Sequence, residues 1–226
     1  MNDLDISLFP IPGSVSLPKS IIPLHIFEPR YRKMIKDSIE QKRRIGVAHT
    51  LRVISPAKIN HNTTLEEQLG SNQETYEAYP IFSAGFAEIL ETLPDGRLIV
   101  QIKMDSRYEI VKEIQQIPYK IVRSIAYLDE VPNITDQTLS HHSIEKMRRH
   151  LDQLFIDLGP DHAQKEIMEK YVTGEEWSRL SLEDYSFAIY SLVVFPPDVL
   201  QKVLELRSSA ARISFLTDAL SEKFLQ

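Results

Sequence analysis

The sequence predicts an α+β protein, a β-barrel with one inserted helix followed by an all-α helical bundle. Three observations carry this expectation. Short apolar or alternating runs punctuated by proline, glycine and Asp-Gly signals fill residues 1–130. A polar, proline-bearing stretch, Asp129 to Asp136, then interrupts the pattern. Beyond it the apolar residues recur at helical spacing to the end of the chain. Strands first and helices after is the α+β order, and the expected domains are 1–130 and 137–226.

Taken in order, Ile6 to Phe9 reads as a strand, Pro10 to Gly13 as a turn and Ser14 to Leu17 as a second extended piece. The prolines stiffen this entry and bias it away from helix. Ile21 to Phe27 is a short buried strand bent at Pro23. Glu28-Pro29 then places an acid and a proline where the first turn of a helix accepts them. Tyr31, Met34, Ile35, Ser38 and Ile39 follow on one face of a helix expected over 29–42, with Lys42, Arg43 and Arg44 near its negative end. Glu28 is expected to cap that helix, and one of Arg30 and Arg32 to fix the corner through a carboxylate or strand carbonyl.

Ile45 to Ile54 reads as an inner strand whose Gly46 marks a bulge or a close approach. Residues 55–78 are polar and read as a long loop, a mobile or binding element. Phe82 to Leu93 and Arg97 to Met104 form a hairpin, with Asp95-Gly96 supplying the positive backbone angle of its turn. Tyr108 to Ile114 and Tyr119 to Leu128 add two strands, for about six or seven in all, enough for a closed or nearly closed barrel.

In the second domain, stripes from Ile144 to Leu158 and from Asp161 to Val172 predict two helices, the first ended by Gly159-Pro160. Ser181 to Asp184 caps a third, Pro196-Pro197-Asp198 starts a fourth, and a break near Ser208-Ser209 begins a fifth through Ile213, Leu216 and Leu220.

Leu8-Phe9-Pro10 followed by Pro23-Leu24-His25-Ile26-Phe27-Glu28-Pro29-Arg30-Tyr31-Arg32 resembles the N-terminal, substrate-recognition domain of the Lon protease family, in a free-standing bacterial form. Gly85 to Ile89, Leu93 to Arg97 with Arg107-Tyr108, and Pro197 to Glu205 with Arg212 and Leu216 extend the likeness over most of the chain. The resemblance implies a PUA-like barrel followed by a helical bundle. It departs from the family in residues 55–78 and at Met104, where glycine is common in the family. Pro23, His25, Glu28, Pro29, Arg32, Asp95 and Gly96 are assigned to the structural motif.

The chemistry of a whole Lon enzyme is not legible in these 226 residues. No Gly-x-x-x-x-Gly-Lys-Ser/Thr loop occurs to cradle a triphosphate. Ser143 and Lys146, three apart on an amphipathic helix, read as solvated surface rather than a catalytic dyad. His141, His142 and His150 lack the spacing for one metal ion, and no His-x-x-x-His occurs. His25, flanked by apolar residues, reads as a corner residue rather than a proton carrier. Glu66, Glu67, Glu74 and Glu77 read as a solvated loop, and Lys146, Arg148, Arg149 and His150 as a solvated face. The expectation is therefore a non-enzyme with no cofactor and no metal.

A net charge of −6 gives no general attraction to phosphate or anionic lipid. The absence of cysteine excludes disulfides and agrees with a cytoplasmic protein, as does the lack of a signal-like start. The expected function is recognition of unfolded or tagged polypeptide, as an adaptor, with an ATP-dependent protease as a further partner and no membrane contact. The expected site is a groove between barrel and bundle, lined by Phe27, Arg30, Tyr31 and the 55–78 loop. The alternative is RNA binding, known for other PUA-like barrels, which the acidic balance and sparse aromatic-basic interleaving disfavour.

Overall fold

In this computed structural model, residues 3–55, 75–131, 149, 180–192 and 194–224 are described. They divide into two compact units, residues 1–128 with 197–204 and residues 129–196 with 205–226. The helices expected at 144–158 and 161–172, the histidines at 141, 142 and 150, the Ser143/Lys146 pair, Lys146 and Arg148 of the basic cluster, and the acids Glu66, Glu67 and Glu74 lie outside the described residues.

The first unit is a mixed sheet with a helix against it. Its elements are β1 (Leu4–Pro10), β2 (Ile21–Ile26), α1 (Pro29–Glu40), β3 (Ile45–Ala48), β4 (Thr50–Ser55), β5 (Thr75–Ala78), β6 (Ile81–Thr92), β7 (Leu98–Gln115) and β8 (Lys120–Ala126). The six-stranded sheet runs β2-β7-β6-β3-β1-β8, and β8 pairs with β7 as well as with β1. The β1–β3 pairing is parallel and the others in this sheet are antiparallel.

Several sequence expectations change here for local physical reasons. Ser14 to Leu17 is not a strand; it is a pinned loop in which Ser14 N–H reaches Ile11 O at 3.2 Å and Ser16 Oγ donates to Val47 O at 3.3 Å. The strand expected over 45–54 breaks at His49, beyond which β4 leaves the main sheet to pair with β5. Part of the expected loop is therefore strand, with Glu77 held by Arg52 at 2.6 Å. The two strands expected at 97–104 and 108–114 are one, β7, because an extra residue at Asp105 shifts the pairing without ending it. The bulge also reverses the strand's faces. Leu98, Val100, Ile102 and Met104 join one apolar cluster with Ile26, Tyr31, Met34, Ile35, Ile45 and Val47, whereas Tyr108 joins a second with Ile6, Leu8, Phe82 and Ala84.

Glycine answers two close approaches. A Cβ on Gly85, beside the bulge, would lie 1.8 Å from Lys103 O, and one on Gly46 would lie 2.2 Å from the Phe82 ring.

Helix α1 buries Tyr31, Met34, Ile35 and Ser38, whereas Ile39, expected inward, is exposed. Its Ser38 Oγ donates to Ser7 Oγ at 2.9 Å, satisfying two buried hydroxyls at once. The helix ends at Glu40 rather than at 42. Lys42 adopts φ 51°, and the N–H groups of Lys42 and Arg43 return to Ile39 O and Ser38 O at 3.2 and 2.8 Å, a left-handed C-terminal cap.

Helix α2 (Leu182–Ala188) begins as the sequence expects, with Ser181 Oγ accepting Asp184 N–H at 3.1 Å, and a 3₁₀ turn follows over Ile189–Leu192. Helices α3 (Pro197–Glu205) and α4 (Ser209–Phe224) complete the described chain. Residues 197–204, which the sequence places with the bundle, group with the first unit. Gln201 Nε2 donates to Ile81 O at 3.1 Å and Arg107 donates to Leu204 O at 2.7 Å, tying the helix to β6 and β7. Among the described residues no helix is long and apolar enough to cross a membrane.

Candidate functional site

The sequence motif folds into an abrupt corner. At the end of β2 the chain turns through Phe27 and Glu28, and Pro29 supplies a helical first residue with no N–H to satisfy. Glu28 occupies the N-cap position, but its side chain makes no capping hydrogen bond. Its backbone carbonyl instead accepts Tyr31 N–H and Arg32 N–H at 3.1 and 2.9 Å. The carboxylate is taken by Arg30, whose Nε donates to it at 2.8 Å with both side chains about four-fifths covered. This corrects the expected capping role, because a charged partner outcompetes a neutral backbone donor.

Arg30 also lies over the Tyr31 ring, 4.5 Å from its centroid, and the Tyr31 ring packs 4.1 Å from Phe9. Burial pushes the Tyr31 hydroxyl up to about 12, against the opposing pull of the Arg30 charge. Burial likewise raises the Glu28 carboxyl, only partly offset by Arg30. The corner thus holds an ion pair in a partly solvated setting.

Beside it opens a cavity of about 300 Å³ lined by Phe9, Pro10, Ile11 and Pro12 from the end of β1, by Leu24 to Glu28, and by Arg30, Tyr31 and Tyr76. It lies wholly within the first unit. The structure therefore gathers Phe27, Arg30 and Tyr31 with His25 and Glu28 around one space. Pro23, Pro29, Arg32, Asp95 and Gly96 are not part of its lining. Arg32 instead reaches the hairpin turn and donates to Asp95 O at 3.3 Å, while Gly96 takes φ 80° and Asp95 Oδ1 accepts Arg97 N–H at 3.0 Å. Sequence reasoning missed Phe9 to Pro12, Leu24 and Ile26 as lining residues. Proximity to the Leu8-Phe9-Pro10 run was the available signal for the first group; Tyr76 belongs to the 55–78 stretch expected at the site, where nothing singled it out.

The β1–β2 loop that forms one wall is pinned from behind. Gly13 N–H donates to His49 Nδ1 at 3.1 Å, and the His49 ring stacks on Tyr79 with centroids 5.3 Å apart. A ring nitrogen that accepts a backbone N–H carries no proton, so the other nitrogen, Nε2, holds it, 3.7 Å from Asp198. Among the described residues no group of three or more His, Asp and Glu side chains is placed to hold a metal ion.

A family model described as the ATP-dependent protease La (LON) substrate-binding domain matches residues 5–222. The chain belongs to that family. Lon protease 1 of Herpetosiphon aurantiacus is 25% identical over 217 residues, covering 92% of this chain and 24% of that protein. The chain thus spans about a quarter of that relative's length. Among solved structures, the N-terminal domain of the Mycobacterium avium complex Lon protease superposes with a TM-score of 0.64 at 11% identity, over 96% of this chain and 98% of that one. A Lon N-terminal domain protein from Xanthomonas campestris gives 0.54 at 15% identity, over 96% and 97%. At such identities these two matches establish the fold, a Lon N-terminal-like mixed sheet with helices.

Proposed function

We propose that the protein is a non-catalytic recognition module that binds segments of polypeptide substrate, with the cavity at the β2–α1 corner as its binding site. The observation that supports this reading is a family substrate-binding domain with a largely apolar 300 Å³ cavity, a size and character suited to a large side chain. The exposed Phe27 at its rim and the largely covered Glu28–Arg30 pair supply apolar contact and orientation. We propose further that β1, β3, β6, β7 and β8 close into the PUA-like barrel, that the second unit is a helical bundle, and that an ATP-dependent protease is the partner that receives the bound client.

The test is titration of a fluorescent, reduced and alkylated polypeptide with the purified protein. Saturable binding, weakened by Phe27→Asp at unchanged melting temperature and not competed by structured RNA, is the expected result. Absence of saturable binding, or binding indifferent to Phe27→Asp, defeats this reading.

A further inference from the structure

We propose that β2 offers its outer edge to an extended polypeptide, which adds to the sheet as a strand while one large apolar side chain enters the adjoining cavity. This inference rests on the substrate-binding reading and specifies the conformation of what is bound.

Strand β2 is the last in its sheet, and among the described residues no strand pairs with its outer edge. The parity of its backbone is fixed by its partner. Met104 N–H donates to Ser20 O at 2.9 Å, and the register continues as Ile22 with Ile102, Leu24 with Val100 and Ile26 with Leu98. In an antiparallel pair alternate residues exchange both bonds, so Ile22, Leu24 and Ile26 turn their backbone groups to β7. Ile21, Pro23 and His25 turn theirs outward. Pro23 has no N–H to give and sits where none is needed by β7. The outer donors are thus the N–H groups of Ile21 and His25, with the carbonyls of Ile21, Pro23 and His25 as acceptors.

The cavity lies along this edge. It touches the last three residues of β2, Leu24, His25 and Ile26, and continues along Phe27 and Glu28. Successive side chains of a strand point to opposite faces, so a space that meets all three runs beside the backbone rather than over one face. The His25 donor and the cavity therefore coincide, and Pro23 restricts full pairing to this end of the strand. An edge of alternating backbone donors and acceptors is matched by another extended backbone, whereas a small apolar ligand would leave it unused. Phe9 to Pro12 complete the lining and offer apolar surface against which the incoming side chain would pack.

The test uses the intact protein and a fluorescein-labelled, net-neutral peptide of alternating threonine and valine with one central phenylalanine. Two twins carry N-methyl groups on one or the other set of alternate amides, and a third has aspartate at the centre. His25→Pro removes the outward N–H and keeps every bond to β7; His25→Ala changes the exposed side chain and keeps the N–H. Expected are about tenfold weaker binding to His25→Pro and to the aspartate twin, with a smaller loss for His25→Ala, which keeps the N–H. One N-methylated twin should lose binding and the other keep it, because only one side of the peptide faces β2. That comparison uses the wild-type protein, so it decides the matter even if His25→Pro melts early. Equal binding of both N-methylated twins overturns strand addition, as does a dimer in sedimentation that His25→Pro dissolves, since a second copy would then own the edge. If the alkylated polypeptide binds while these changes have no effect, strand addition fails and the substrate-binding reading stands. If wild type binds neither probe, that reading falls too.

Discussion

Two arginines of the family motif, one in each unit, show how differently the same side chain can be used. In the second unit Arg212 is fully buried and its donors are consumed inside the protein. Nε reaches Ser186 Oγ at 2.9 Å, and the two terminal nitrogens reach Asp129 Oδ1 and Oδ2 at 2.7 and 2.5 Å. Leu206 O and Ser209 Oγ take further bonds at 2.8 and 3.1 Å, and the Phe187 ring lies 4.1 Å from the guanidinium carbon. In the first unit Arg30 pairs with Glu28 at the mouth of a cavity, its side chain 19% exposed against 0% for Arg212. The first arrangement joins α2, α4 and the segment at Asp129; the second shapes a surface. Substitution at Arg212 should therefore damage the fold, and substitution at Arg30 the binding.

The strongest test of that contrast is Arg212→Ala, which removes the two guanidinium bonds to the Asp129 carboxylate from a buried site. A loss of about 3–5 kcal/mol is expected in denaturant unfolding. Arg212→Lys should recover little of it, because an ammonium cannot span both oxygens of Asp129 and also reach Ser186. A loss under about 1 kcal/mol would erase the distinction between the two arginines.

Neither role was fully readable in the sequence, and the reasons differ. Arg212 was visible as a family position, but its principal partner, Asp129, lies 83 residues away in a stretch read as a linker. The corner was legible because strand, proline and helix are local signals, each set by neighbours within a few residues. The Glu28 side chain was misread because capping propensity is a local average, and an ion pair two residues on overrode it. Tyr76 reaches the cavity only through the β4–β5 pairing, which the apolar run from Ile45 to Ile54 concealed by reading as one strand. The bulge at Asp105 was invisible because alternation was sound on either side of it and only the change of face records the extra residue.

Gly85 sharpens the comparison by showing that the first unit is also intolerant where its own packing is closed. Gly85→Ala would place a Cβ within 1.8 Å of a backbone carbonyl that cannot swing aside. A cost of about 1–3 kcal/mol is expected, measured as the shift in denaturation midpoint. A neutral result would mean that the bulge relaxes and does not hold the register of β6 on β7.

Arg30→Met should then mark the other extreme. The pair it breaks is partly solvated, so the expected loss of stability is about 0–1 kcal/mol. The same substitution should weaken capture of the alkylated polypeptide several-fold by anisotropy, since it alters the mouth of the cavity and the cover over Tyr31. A stability loss as large as that of Arg212→Ala would place Arg30 among the structural arginines instead.

The smallest effect, and the one with the most specific signature, is expected at Tyr119. Its hydroxyl donates to Asp37 Oδ2 at 2.7 Å, across from α1, and is pushed up to about 12 by burial first and by that carboxylate second. The same bond is the leading cause of a lowered Asp37 carboxyl, with Lys33 adding to it. The signs at the two ends of the pH scale are opposite. Tyr119 keeps its proton in the folded state after an unfolded tyrosine has lost it, so its contribution is whole below about 10 and is lost as pH rises toward about 12. Asp37 stays ionised after an unfolded carboxyl has protonated, so its contribution is whole above the model-peptide range near 3.9 and is lost as pH falls through its depressed value. Tyr119→Phe removes the shared bond, at about 1 kcal/mol near neutrality. It should flatten both limbs of the stability profile together and return the Asp37 carboxyl resonance toward ordinary titration. Flattening of the alkaline limb alone would mean that Lys33, 3.0 Å from Asp37, and not Tyr119, holds the carboxylate down.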